Sequence, residues 1–392
     1  MEVKINKLDH FGNGIGRIND KVVFVKRALK DEIVDIEITK DKKKFMEGVI
    51  CDIKESSVDR TRSICPYYDK CGGCNFLHTT YDLEKNFKIE KANELIGNVN
   101  CFYETNDLNY RNKVTLHVKG DKLGFYREKT NEIVDINYCY LLNDKINNVI
   151  DKLNDYIKKN IHELKKVVIK TNGNNVLIDL TGFVTDDFFD EFNEIDTIIY
   201  NNELYKGDGY LEETIDDKKL IVSSNSFYQV NKKGLEAISK IIKNYLSNKK
   251  LDTVLDLYSG ISTWGILVSN YVNKVISIEE NSSATSDALV NKEINKLDNL
   301  EIINGRVEDY IDRFKNIDLI IIDPPRSGLD KKTKEYLRIL KSKNIIYISC
   351  DMITLKRDLE ELSDIYNVVE INLVDMFKKT YHVETVVILE RK

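Results

Sequence analysis

The chain has 392 residues, 42% hydrophobic and 32% charged, enough to bury a sizeable core and to divide into two or three domains. A net charge of −6 excludes a uniformly basic wrapper of nucleic acid, so RNA would have to be met by local patches such as Lys40 to Lys44, Arg111 to Lys113 or Lys331 to Lys334. No stretch approaches the roughly 20 apolar residues of a membrane span, and MEVKINKLDHFG has no apolar signal core, so a cytoplasmic protein without a membrane partner is expected.

Residues 1–57 alternate short β-rich runs (Val22 to Val25, Glu32 to Ile38, Glu47 to Ile50) with glycine turns at Gly12 to Gly16. This is the pattern of a small antiparallel barrel of the OB kind, a common platform for RNA. The wording KINKLDHFGNGIGRINDKVVFVKRALKDEIVDIEI resembles the TRAM domain, an RNA-binding barrel attached to RNA-modifying enzymes.

Residues 58–225 read as a metal-binding segment followed by a small α+β unit. Seven cysteines in a cytoplasmic chain are metal ligands or nucleophiles rather than disulfides. Cys65, Cys71 and Cys74 fall in one short loop whose glycines let the backbone curl round a metal group, and Cys139 follows downstream. Four thiolates suit either a [4Fe-4S] cluster or structural zinc. Cys51 and Cys101 have no such company and read as ordinary buried thiols. A helix over 81–97, strands at 113–118, 123–126, 166–170, 176–180 and 197–200, and a helix over 142–159 make up a mixed unit that shapes a substrate cleft.

Residues 226–392 alternate strand and helix patterns from Thr253 to Ile348 and close with an antiparallel pair, Val368 to Val374 and Val383 to Leu389. The predicted class is α/β, a Rossmann-like doubly wound sheet. Asp256-Leu257-Tyr258-Ser259-Gly260 turns from a strand into a helix, and Glu279 ends the next strand, placed to accept ribose hydroxyls. The glycines of a pyrophosphate seat are missing, so NAD recedes and S-adenosylmethionine fits better. The apolar run Leu319 to Ile322 ends on Asp323-Pro324-Pro325-Arg326, and the run Ile345 to Ile348 ends on Ser349-Cys350. Parallel strands deliver chemistry beyond their carboxyl ends, so Asp323 and Cys350 are expected side by side at one rim.

Phe227-x-Gln229-Val-Asn, Asp256-Leu-Tyr258-x-Gly, Asp323-Pro-Pro-Arg326-x-Gly, Ser349-Cys350 and His382-Val-Glu384 occur in the order seen in the RNA uridine-C5 methyltransferase family. With the TRAM-like start and the cysteine triplet, the chain resembles that family over nearly its whole length. The resemblance implies a methyltransferase with Cys350 as nucleophile and Glu384 as base, and with Gln229, Tyr258, Glu279 and Asp323 on the S-adenosylmethionine side. It further implies Phe227 and Arg326 toward the RNA, and a [4Fe-4S] cluster on Cys65, Cys71, Cys74 and Cys139. The barrel and cluster together resemble the 23S ribosomal RNA branch, with transfer RNA as the alternative, and a monomer is expected. The chain departs from the family pattern at Ser259, Ser262, Arg306 and Asp351. Exocyclic-amine methylation is disfavoured because Arg326 replaces the usual aromatic and no thiol is needed there. Cytosine-C5 methylation shares the thiol chemistry but not the resemblance. A non-catalytic RNA-binding factor is the remaining alternative, and it predicts binding that Cys350→Ala does not alter.

Overall fold

Alternation of buried and exposed residues builds the first unit of this computed structural model, which describes residues 1–392 apart from 107, 248 and 341. Six strands between Glu2 and Glu55 form one sheet around Val3, Ile5, Val23, Val25, Val34 and Ile36. Glu2–Lys4 lies at one edge and its continuation, Lys7–Leu8, at the other, so the first eight residues close the sheet on itself. Most pairs are antiparallel; Lys21–Lys26 and Phe45–Glu55 run parallel. The fully buried Glu32 accepts from Leu29 N at 2.8 Å and from Arg60 Nη2 at 2.8 Å, which ties this sheet to the segment that follows.

The central unit is a seven-stranded sheet covered by the helix Asp144–Lys159, capped by Asn143. Ile146, Ile150, Leu153 and Ile157 recur at helical spacing and are buried against strands such as His162–Thr171. Other parts of 58–225 are built onto the C-terminal sheet instead. Cys101–Tyr103 pairs in parallel with Tyr366–Val374, and the hairpin of Tyr210–Ile215 and Lys218–Ser223 leans on the helix Ser282–Ile294, where Asn291 Oδ1 accepts from Ile221 N at 2.6 Å.

The C-terminal sheet has eight strands in the order 300–304, 274–279, 253–257, 319–322, 344–349, 384–391, 366–374, 101–103. The five members from 300–304 to 344–349 are parallel, and Glu384–Arg391 is antiparallel to its neighbours. Leu319–Ile322 and Asn344–Ser349 are buried at every position, as strands covered on both faces must be. Chain order reverses between Thr253–Leu257 and Leu319–Ile322, the switch point where such sheets open a ligand crevice. Among the described residues no helix is long and apolar enough to cross a membrane.

Cys51 and Cys101 are exposed, not buried as their isolation in sequence suggested. Cys51 lies on the outward face of an alternating strand and Cys101 opens an edge strand, so neither reaches a core.

Candidate active site

The rim of the C-terminal sheet gathers the chemistry. Leu257 pairs with Ile322, and Ile322 with Tyr347, so the residues just beyond these strands, Tyr258, Asp323 and Cys350, emerge along one edge. Ser349 pairs with Thr385 in the antiparallel register, which one residue further sets Cys350 across from Glu384. Cys350, Glu384, Asp323, Arg326 and Gln229 line one cavity of about 490 Å³. A second cavity of about 450 Å³ holds Glu279, Arg306 and Glu308 and shares Phe227, Tyr258, Gly260, Asp323 and Pro325 with the first. Phe227 is 63% exposed at the common mouth, whereas Glu384 is 2% exposed at the floor.

Tyr258, Gly260 and Ser262 all have positive φ (60°, 56° and 61°) in the turn between strand and helix Thr263–Val268. Such a turn is strained for Tyr and Ser and is held by its surroundings. Ser262 Oγ lies 2.8 Å from Ser277 Oγ, and Gly260 N donates to Glu279 Oε2 at 2.9 Å. Glu279 Oε1 accepts from Asn281 N at 2.7 Å, so its carboxylate is fixed at the end of its strand with lone pairs still facing the outer cavity. A Cβ on Gly260 would meet nothing within 4 Å, the open space a nucleoside needs beside the backbone. The four departures leave these cavities open. Asp351 caps the helix Met352–Leu362 by accepting from Ile353 N and Thr354 N at 3.0 and 2.9 Å, Arg306 is ion-paired with Glu308, and Ser259 and Ser262 are buried in the turn.

Electrostatics at the floor favour neutral forms. Burial pushes the Cys350 thiol up to about 11, with Glu384 and Asp323 adding to the rise and Arg326 opposing it. Burial and the Asp323 charge hold the Glu384 carboxyl well above the ordinary range, again against Arg326. Burial lifts Asp323 to about 6 although Trp264 Nε1 donates to its Oδ2 at 3.0 Å. Trp264 is buried at the start of its helix, and its indole orients Asp323 as well as packing. Position in a helix start gave no signal for that role. Gln229 is 7% exposed on a segment pinned by Asn112, whose N donates to Val230 O at 3.0 Å and whose Nδ2 donates to Gln229 O at 3.1 Å.

The remaining predicted residues lie elsewhere. Cys65, Cys71, Cys74 and Cys139 line one cavity of about 510 Å³ between the segment 65–77 and the central sheet. Among the described residues no three Cys, His, Asp or Glu are drawn close enough to hold a single ion. Burial raises Cys74, Cys139 and Cys65, and Cys74 and Cys139 are opposed by the nearby guanidinium of Arg111. Arg111 Nε is buried without a hydrogen-bond partner beside these thiols, a counter-charge for thiolates. Arg111 and Lys113 therefore face the cysteine cavity rather than forming a free RNA patch.

Residues 201–392 match the family model described as tRNA (uracil-5-)-methyltransferase, and residues 1–51 match the TRAM domain. The chain is 33% identical to an uncharacterized RNA methyltransferase of Clostridium acetobutylicum, across 100% of this chain and 96% of the relative. It is 31% identical to another from Caldanaerobacter subterraneus, across 100% and 98%. The crystal structure of Pyrococcus abyssi tRNA (uracil-54, C5)-methyltransferase in complex with S-adenosyl-L-homocysteine is similar with a TM-score of 0.83 and 26% identity, covering 99% of this chain and 100% of that one.

Proposed function

This chain belongs to the RNA uracil-C5 methyltransferase family and carries its TRAM domain at the N-terminus, and from that membership we propose that it methylates C5 of a uridine in 23S ribosomal RNA, as a monomer, through a covalent Cys350 adduct. The observation that carries the reading is the meeting of Cys350 and Glu384 across two antiparallel strands in a cavity that Asp323 and Arg326 also line.

S-adenosylmethionine would supply the methyl group from its sulfonium, and Gln229, Tyr258, Glu279 and Asp323, which line the joined cavities, would hold it. Uracil C5 is a poor nucleophile. The Cys350 thiolate adds to C6, and the displaced electron pair moves through C5 to O4 as an enolate able to take a methyl at C5. Glu384 then removes the C5 proton, and the returning electron pair expels the thiolate. Burial raises both groups, and the Arg326 cation favours the anionic form of each. Asp323 is placed to hold the uracil N3 proton or the cofactor, and exposed Phe227 stacks on the base once it has left the RNA stack.

The same reading gives the four cysteines a [4Fe-4S] cluster, supported by the shared cavity and the unpartnered Arg111 Nε; no step of methyl transfer passes through it. A transfer RNA target is the second reading, supported by the whole-length similarity to the Pyrococcus enzyme. The test is methyl transfer from labelled S-adenosylmethionine to unmodified ribosomal and transfer RNA in separate reactions, with nucleoside analysis. The proposal expects 5-methyluridine in ribosomal RNA, lost in Cys350→Ala; label in transfer RNA alone overturns the target, and no 5-methyluridine in either overturns the activity.

A further inference from the structure

A line of rings that methyl transfer does not use runs from the first sheet to the thiol. The loop 9–13 is rigid: Asp9 Oδ1 accepts from Phe11 N and from Asn13 N, both at 2.8 Å, and Asp9 Oδ2 from Asn13 Nδ2 at 2.9 Å. Gly12, at φ +81°, rests on Phe76 so closely that a Cβ would lie 2.7 Å from the ring. This loop holds Phe11 out, 50% exposed, edge-to-face with Tyr381 at 5.4 Å between centroids. Tyr381 lies 4.1 Å from the His382 ring, and His382 lies 6.1 Å from Phe377, which lines the cavity of Cys350 and Glu384.

A ring whose task was to join two units would be covered by both; Phe11 keeps half its surface open. Cations lie beside these rings. Lys26, Arg27 and Lys129 line a cavity of about 310 Å³ with Phe11 and Tyr381, Lys26 and Lys129 ion-paired with Glu128 and Arg27 with Asp69. Lys91 Nζ stands 5.3 Å from the Tyr381 centroid and donates to His10 O at 2.9 Å. Open aromatic faces among cations match unpaired nucleotides, whose bases stack without sequence preference and whose phosphates seek positive charge. A uridine that flips into the site leaves its neighbours short of a stacking partner, and the line of rings leads to that site.

We propose that Phe11 and Tyr381 form a stacking platform for an unpaired nucleotide next to the flipped uridine, a reading that rests on the RNA substrate proposed above. The test compares the parent with Phe11→Leu, which keeps an apolar contact to Tyr381 but has no π face, and with Phe11→Trp, which restores one. Two readouts are taken at one salt concentration: KM for whichever transcript the parent methylates, and Kd for unmodified 23S ribosomal and transfer RNA transcripts in a Cys350→Ala background. Phe11→Leu is expected to raise both for RNA about ten-fold, with KM for S-adenosylmethionine and kcat at saturating RNA unchanged, and Phe11→Trp to recover the parental values. Parental RNA affinity in both Phe11→Leu and Tyr381→Leu overturns the platform. If the parent methylates neither transcript, the activity reading falls, and the affinity comparison alone decides the platform.

Discussion

Lys88→Met removes one cation from a buried site and should unsettle the loop that leads into Glu384. Lys88 is fully buried, with Nζ 2.6 Å from Glu84 Oε1 and 2.6 Å from Asp375 Oδ1. Tyr81 OH donates to Asp375 Oδ2 at 2.8 Å, and Glu84 Oε1 accepts from Lys379 N at 2.7 Å, so the cluster grips the segment 375–383 from the helix Tyr81–Leu95. Methionine keeps the volume and leaves two carboxylates buried together without Lys88. Breaking such a pair costs about 3–5 kcal/mol. Burial already pushes Glu84 above its ordinary value, and loss of Lys88 pushes it further. A carboxyl raised in the folded state keeps its stability below the unfolded value and loses it as pH rises, by up to about 1.4 kcal/mol per pH unit for each proton held. The deficit is therefore small near pH 4 to 5 and full at pH 8. Urea unfolding at pH 5 and pH 8 reads the stability, and steady-state kinetics read the loop: kcat falls while KM for S-adenosylmethionine holds, because Tyr258 and Glu279 stand on other strands. A loss under about 1 kcal/mol at pH 8, or an equal loss at both pH values, would refute the reasoning.

Arg326→Ala should shift the rising limb of log kcat/KM to higher pH, since it removes the cation that opposes the upward pressure on Cys350; an unmoved limb in a pH–rate profile contradicts the assignment. Asp256 is fully buried, lifted to about 7 by burial, and its Oδ1 lacks a partner. The parent should thus lose about 4 kcal/mol between pH 4 and pH 7 through this carboxyl. Asp256→Asn should be the less stable protein at pH 5 and the gap should close or reverse at pH 8 in thermal melts, whereas a constant gap would show that Asp256 does not titrate there. Cys74→Ser, purified without oxygen, should lose iron, acid-labile sulfide and visible absorbance together; one zinc per chain in the parent would establish the zinc alternative.

Local patterns made the parallel sheet legible. The four residues of Leu319–Ile322 read as a doubly covered strand, and their ending on Asp323 fixes which rim carries the chemistry. The helix expected over 142–159 is found as Asp144–Lys159, capped by Asn143. Patterns fail where partners are distant. Cys101–Tyr103 is too short to show a period, and its partner strand lies about 270 residues away, so its place at the sheet edge is a tertiary fact. Val307 to Phe314 has the pattern of one short helix, yet it folds as Val307–Tyr310 followed by a 3₁₀ turn, Ile311–Arg313, since so brief a segment has little helical stability of its own. Trp264 and the Lys88 cluster were invisible for the same reason: an indole that orients a carboxylate and a lysine shared by two acids look like ordinary core and surface residues until the fold brings their partners in.

The covalent step is tested most directly by capture. Transfer RNA and 23S ribosomal RNA transcripts made with 5-fluorouridine present a C5 fluorine that Glu384 cannot remove as a proton, so addition and methyl transfer should proceed and elimination should stop. With S-adenosylmethionine present, one of the two transcripts should form a denaturant-resistant adduct, and mass spectrometry of its peptides should place a fluoromethyluridine nucleotide on Cys350. An active enzyme that forms no adduct with either transcript, or one attached through another residue, would contradict the account.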